Sequence, residues 1–354
     1  MDTVADKSFM LKNIMTEREC TLLRSLLDEA GTIVLCCHQN PDGDALGSML
    51  AMRAVLRQQG KDTVMVVPDQ YPDYLHWLPN SEKIVRYDKR KDYVDTLLKI
   101  CDIVVCLDFN SPSRTDEMAD ALCASPAKKI LIDHHPGPDI DAVLAISHPE
   151  ASSTSELVFR VVWQLGWFEQ QNKHFAIPVY TGMMTDTGGF TYNSSAPDIY
   201  FIISQLLTLH IDKDKIYRNV YHNYSENRLR LVGHVLCHRL VVDQERHAAY
   251  FTLTRDDLKH FHFIKGDAEG LVNMPLQIKG LKLSISLRED TDKDNLVWVS
   301  LRSVDQFPCN EVAARFFNGG GHLNASGGRL YCSIPEAVKI VQQAIDAFAD
   351  ELAK

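Results

Sequence analysis

Short runs of β-branched and aliphatic residues recur along the first half of the chain, each closed by polar residues and separated from the next by helical periodicity. Residues 33–37 (IVLCC), 103–107 (IVVCL) and 129–132 (KILI) have the length and near-continuous apolar character of strands buried on both faces. Residues 142–146 predict a further strand. A helix opens at Ser152-Ser153-Thr154, runs through Leu157, Val158, Val161 and Val162, and stops at Gly166. Another helical stretch begins near His174 and carries Asp186. At the N-terminus, Thr16 and Glu19 have capping-box spacing ahead of Leu22, Leu23, Leu26 and Leu27. Strands alternating with helices predict a doubly wound, mainly parallel sheet with right-handed crossovers. Residues 225–240 are polar, with Leu229, Val232, Leu236 and Leu240 on one side at helical spacing, and predict a connecting helix. Beyond it, residues 281–287 and 297–301 predict strands, 310–317 a helix, 319–328 a glycine-rich loop, and a closing helix starts at Pro335. The expected fold is α/β in two parts: a first domain over 1–224, a helical linker over 225–240 and a smaller α/β domain over 241–354.

Composition narrows the classes. A chain of 354 residues with 45% apolar content can bury the cores of about two domains. It has neither a long apolar run nor a leader-like N-terminus, so the expectation is a cytoplasmic protein with no membrane partner. Nine cysteines include no Cys-x-x-Cys pair, which argues against a disulfide framework or a thiolate zinc site. Forty-seven acidic against 37 basic residues give a net charge of −10, a poor match for long nucleic acids, duplexes included. A short phosphorylated molecule held by a few local cations remains compatible.

The strand ends carry the chemistry. The first run leads into His38-Gln39-Asn40-Pro41-Asp42-Gly43-Asp44, the second into Asp108 and the third into Asp133-His134-His135. Ligands of parallel sheets bind at the carboxyl ends of strands, so these clusters should converge. Taken singly, Asp42-Gly43 reads as a turn and Asp44 as a helix cap. Several acid-bearing strand ends in one cleft are harder to explain that way, because clustered carboxylates away from water need cations. Oxygen donors with a minority of imidazoles predict two Mn²⁺ ions, with Mg²⁺ as the alternative, and a hydrolase acting on phosphoryl groups.

These segments, with Asp186 as the fourth, resemble the four motifs of the DHH phosphoesterase family, in order and across the N-terminal domain. The resemblance implies that His38, Asp42 and Asp108 hold one Mn²⁺ and that Asp44, Asp108, His134 and Asp186 hold the other, with Asp108 as the bridge. It implies that His135 faces the substrate and that Asp133 orients its neighbours. Residues 269–273 through the glycine-rich segment resemble the DHH-associated C-terminal domain, covering most of 245–345. Within that segment Gly320, Gly321, His322, Asn324, Ser326 and Gly327 could form an anion-binding concavity, with Arg288 and Arg302 at strand ends as fork-shaped phosphate partners. The same glycines could serve only turns, and the arginines could be ordinary surface charges. Together the two domains resemble the oligoribonuclease and 3′-phosphoadenosine-5′-phosphate (pAp) phosphatase type, often called nanoRNases. That implies short single-stranded oligonucleotides, linear dinucleotides and pAp as substrates. An inorganic polyphosphate or pyrophosphate hydrolase and a catalytically silent nucleotide-binding module are the alternatives, and a homodimer is left open. His234 and His238 share a helix face at metal-pair spacing, but the zincin glutamate is absent and the segment is polar; His260 and His262, beside Phe261 and Phe263, read as packing residues. Arg114 could meet a phosphate or a surface carboxylate.

Overall fold

The computed structural model describes residues 11–264 and 266–354, which divide into two compact units meeting between Asn223 and Tyr224. The first unit is built on six parallel strands: β1 (Thr32–Cys36), β2 (Asp62–Val67), β3 (Val85–Arg86), β4 (Ile103–Leu107), β5 (Lys128–Asp133) and β6 (Leu144–Ser147). Their order across the sheet is β3-β2-β1-β4-β5-β6. The chain therefore winds outward one way from β1 and the other way from β4, which makes the gap beyond these two strands a topological switch point. Alternate residues serve opposite cores: Ile33 and Leu35 pack with the helices on one face, while Val34 and Cys36 pack with those on the other. Burial on both faces is why the strands read as unbroken apolar runs.

One helix sets the site. Gly43–Gln58 follows β1 and is buried almost all round, so it lacks the polar stripe of a surface helix. It lies unusually close to helix Lys173–Asp186. A Cβ on Gly43 would lie 2.6 Å from Thr185 Cγ2, one on Gly47 would lie 2.6 Å from the Pro178 carbonyl, and one on Gly182 would overlap Ser155 Oγ. Glycine at these three positions lets the two helix backbones approach, which brings Asp44 and Asp186 to the same place.

The second unit carries a mixed sheet in the order β11-β12-β10-β9-β8-β7. The strands are β7 (Leu240–Asp243), β8 (Ala248–Leu253), β9 (Leu283–Glu289), β10 (Val297–Ser303), β11 (Gly320–His322) and β12 (Ala325–Leu330). One face packs on helices Cys309–Phe316 and Ile334–Ala347. The other receives Leu231 and Val235 together with Phe251, Leu253, Leu258, Leu271 and Val272. The segment expected as a linker over 225–240 is thus helical at Glu226–His234, but it buries Leu231 and Val235 in this unit's core, while Leu229 of the expected apolar side is exposed. Among the described residues no helix is long and apolar enough to cross a membrane.

The expected glycine-rich loop is a β-hairpin. Gly320 pairs with Gly327, Gly321 with Ser326 and His322 with Ala325, while β12 pairs on its other side with β10. Its glycines answer mostly to steric need: a Cβ on Gly328 would overlap the Phe317 carbonyl, and Gly321 has φ +142° with Ala325 O at 2.6 Å from a would-be Cβ. Periodicity missed the hairpin because a glycine strand has no apolar alternation to read.

Candidate functional site

His38 follows β1 and Asp108 follows β4, so the two flank the switch point. Asp108 sits at φ +65°, a conformation rare for a side-chain-bearing residue and tolerated best by Asn and Asp. Its Oδ2 lies 3.4 Å from His38 Nε2, and its Oδ1 lies 3.6 Å from His134 Nε2. His134 Nε2 is in turn 3.4 Å from Asp186 Oδ2. Both imidazoles are oriented from behind: His38 Nδ1 donates to the Gln39 carbonyl at 2.7 Å and His134 Nδ1 to the Ala151 carbonyl at 3.3 Å. In the neutral imidazole a donating Nδ1 leaves Nε2 as the lone-pair nitrogen facing the carboxylates, the tautomer a cation ligand requires.

The acids are anchored in the same manner. Asp42 caps the Gly43–Gln58 helix through Oδ1, which accepts from the Asp44 and Ala45 amides at 2.9 and 3.0 Å, while its Oδ2 lies 4.0 Å from His38 Nε2. The cap and the cluster use different oxygens of one carboxylate. Asp44 accepts from the amides of Thr154 at 2.6 Å and Ser155 at 2.8 Å, both in the first turn of helix Thr154–Gln164. The Thr154 hydroxyl donates to Asp108 Oδ1 at 2.9 Å. These two residues were absent from the expected site. The Ser-Ser-Thr helix start was legible as a cap, but nothing local in the sequence says which carboxylates its amides will meet.

The structure thus brings together Asp42, Asp44, Asp108, Asp133 and Asp186 with His38, His134 and His135. Donor atoms of His38, Asp42 and Asp108 lie within 4.8 Å of one another, as do those of Asp44, Asp108 and His134, and those of Asp108, Asp133 and His135. Asp108 belongs to all three sets. Burial pushes Asp44 well above the usual carboxylate range and Asp186 up to about 7, with neighbouring carboxylates adding to both. Asp108 resists its own burial and is held below the usual range by His38 and the other imidazoles. His135 presents its other ring nitrogen to the cluster: its Nδ1 lies 2.7 Å from Asp133 Oδ1 and 3.7 Å from Asp108 Oδ1. Asp133 is fully buried and its Oδ2 has no hydrogen-bond partner among the described residues. A buried set of oxygen and imidazole donors with an unsatisfied carboxylate oxygen is chemically suited to hard divalent cations.

The second unit places its candidates less uniformly. Arg302 pairs with Ala325 on one side and Ser284 on the other, next to the hairpin. Arg288 instead lies opposite Trp298, four positions along the strand and so about 13 Å away, with its guanidinium 5.4 Å from the Phe263 ring. The antiparallel register thus sets the two arginines at different positions along the sheet. Ser326 is buried and its hydroxyl donates to the His322 carbonyl at 2.9 Å. The Asn324 amide donates to Ser303 Oγ at 2.9 Å and to the Asp305 carbonyl at 3.1 Å, holding the turn. Gly320 and His322 lie on the exposed edge strand, while Gly327 and Ser326 stand in the central one. His234 meets Asp257 at 3.0 Å and lies against His238, and His260 packs edge-on against Phe261. Arg114 joins the wall of the first site through its carbonyl, which accepts from the Gln39 amide at 2.7 Å. Its guanidinium has no ion pair among the described residues.

Comparison with known proteins agrees with this architecture. The DHH family N-terminal domain matches residues 32–183 and the DHHA1 domain residues 248–351. The bifunctional oligoribonuclease and PAP phosphatase NrnA of Bacillus subtilis is 26% identical over 313 residues, covering 88% of this chain and 92% of that protein. A crystal structure of an exopolyphosphatase-related protein from Bacteroides fragilis is 48% identical with a TM-score of 0.93, covering 97% of this chain and all of that one. RecJ from Thermus thermophilus, solved with Mn²⁺, shares the fold at a TM-score of 0.55 and 14% identity, over 97% of this chain and 55% of that one.

Proposed function

We propose that this chain, which belongs to the DHH family of phosphoesterases, is a Mn²⁺-dependent hydrolase of short oligoribonucleotides that also removes the 3′-phosphate of pAp. The observation that carries the reading is the pair of donor sets joined at Asp108, within a two-domain chain that aligns along nearly the whole of an oligoribonuclease and PAP phosphatase. His38, Asp42 and Asp108 would hold one cation, and Asp44, Asp108, His134 and Asp186 the other. Bound there, the ions supply a nucleophile at neutral pH and stabilise charge on the attacked phosphoryl group.

The remaining work falls to the chain. Asp133 holds the His135 Nδ1 proton, so that Nε2 can carry a second one to the departing ester oxygen. Thr154 and the amides of residues 154 and 155 fix the rotamers of Asp108 and Asp44, so that charge is preorganised before substrate arrives. In the second unit, Arg302, with Gly320, Gly321, His322, Asn324, Ser326 and Gly327 of the hairpin, is the proposed holder of a second phosphate. Arg288 contributes at a separate position along the sheet.

A second reading has specific support: the 48% identical relative is described as exopolyphosphatase-related. Turnover of 5′-phosphorylated di- to pentanucleotides, pAp, pyrophosphate and tripolyphosphate with Mn²⁺ separates the two. Preference for pyrophosphate or tripolyphosphate over every nucleotide would replace the oligoribonuclease reading.

Two further outcomes are expected. His134→Ala should bind one Mn²⁺ per chain where the parent binds two, read by metal analysis after gel filtration; two retained ions would remove His134 from the ligand set. In chelator-treated protein, Asp44 and Asp186 hold protons in the folded state that the unfolded chain releases near pH 4. Raising the pH from about 4 to 7 should therefore lower the melting temperature of the metal-free protein, and Mn²⁺ should restore it most at the upper end. A metal-independent melting temperature across this window would contradict a cation role for the cluster.

A further inference from the structure

We propose that Tyr192 and Tyr217, set around Gly188 and Gly189, form a shelf on which a nucleobase of the substrate stacks. The inference rests on the phosphoesterase reading and specifies the substrate class its site would prefer. Helix Lys173–Asp186 ends on Asp186, and at 3.8 Å per residue the Cα of Gly188 lies within about 7.6 Å of the Asp186 Cα. From there the backbone is forced into the left-handed region at Gly188 (φ +55°), Gly189 (+74°), Phe190 (+65°) and Asn193 (+46°). Asn tolerates that region, but Phe190 adopts a conformation that a bulky side chain rarely takes, and such strain concentrates at functional sites.

The strain has a visible product. The Tyr192 ring lies directly on Gly188, where any Cβ would overlap Cε1 and sit 2.8 Å from Cζ. On the neighbouring glycine, a Cβ would stand 3.5 Å from Tyr217 Cε2 and 3.8 Å from Tyr221 Cε2. The loop is pinned in this shape: the Gly189 amide donates to the Met184 carbonyl at 2.7 Å, the Tyr192 amide to the Thr187 carbonyl at 3.2 Å, and the Tyr221 hydroxyl to the Met184 carbonyl at 3.1 Å. Even so, Tyr192 is 50% exposed and Tyr217 is 42% exposed. Isolated exposed tyrosines are ordinary on a protein surface. Two that are held by a strained backbone, beside a candidate cation ligand, are placed where a base one ribose away from the attacked phosphate would fall. Rings fixed in advance are what base stacking uses, because little side-chain entropy remains to be lost.

The test compares Tyr192→Ala and Tyr217→Ala with the parent on a 5′-phosphorylated dinucleotide, the same compound with either base removed, and pyrophosphate. The expected result is a KM for the intact dinucleotide raised about five- to a hundredfold, with kcat little changed. The loss should be confined to substrates that carry a base, and Tyr192→Phe should recover most of it. An unchanged dinucleotide KM in both alanine variants, or an equal loss on pyrophosphate, overturns the stacking role while leaving the phosphoesterase reading in place. A parent protein that hydrolyses pyrophosphate but no dinucleotide removes both.

Discussion

Asp108→Asn should fold, melt close to the parent and fail to hydrolyse any phosphoester, with turnover down by about 10³-fold or more. The substitution suits the backbone, since Asn accepts φ +65° as readily as Asp. It also keeps an oxygen for the Thr154 hydroxyl. What it removes is negative charge at the one residue shared by the three carboxylate-bearing donor sets. A neutral amide cannot balance two adjacent cations or accept both of them, so metal content should fall along with activity. Circular dichroism and thermal melts establish the fold, and initial rates with Mn²⁺ establish the loss. A variant turning over within tenfold of the parent would mean that Asp108 is a structural acid and that the cluster is organised around another residue.

Gly182→Ala should be nearly as damaging, against what helix propensity alone expects. In a helix interior alanine is favoured over glycine by about 1 kcal/mol. At this position the new methyl group would overlap Ser155 Oγ and lie 2.7 Å from Asp44 Oδ1. Relief requires parting the Lys173–Asp186 helix from Thr154–Gln164, which carries Ser155, and rotating Asp44 off its two amide donors. Overpacking of this kind costs about 1 to 3 kcal/mol, enough to reverse the propensity gain. Because Asp186 rides on the helix that must part and Asp44 is the acid that must rotate, metal affinity should fall by more than the loss of stability would suggest. Titration with Mn²⁺ followed by thermal shift checks both effects. A higher melting temperature with unchanged affinity would show that the helices have room the geometry denies.

Much of the first unit was legible because its physics is local. A strand buried on both faces must be apolar throughout, and residues 103–107 are read correctly to the residue. The convergence of His38, Asp108 and Asp133 followed from topology, since parallel strands deliver their carboxyl ends to one edge. Thr154 and Ser155 escaped notice because their contribution is two backbone amides aimed across more than a hundred residues of sequence and a hydroxyl aimed across 46. The second unit was harder for a different reason. Antiparallel register decides which residues share an end of the sheet, and no spacing in the sequence fixes that register, so Arg288 and Arg302 looked equivalent until the pairing with Trp298 and Ser284 separated them.

The divided duty of Asp42 bears on how such a chain can change over evolutionary time. One of its oxygens starts the central buried helix and the other faces His38, so mutation cannot tune the two roles separately. A descendant that drifted toward softer donors, replacing this aspartate by cysteine or histidine to favour a different ion, would at the same stroke unfasten the helix on which the first core is assembled. Selection for folding alone, in a lineage that had lost all use for the reaction, would still keep a capping oxygen there, from aspartate, asparagine or serine, so this position would drift more slowly than ligands that serve the reaction alone.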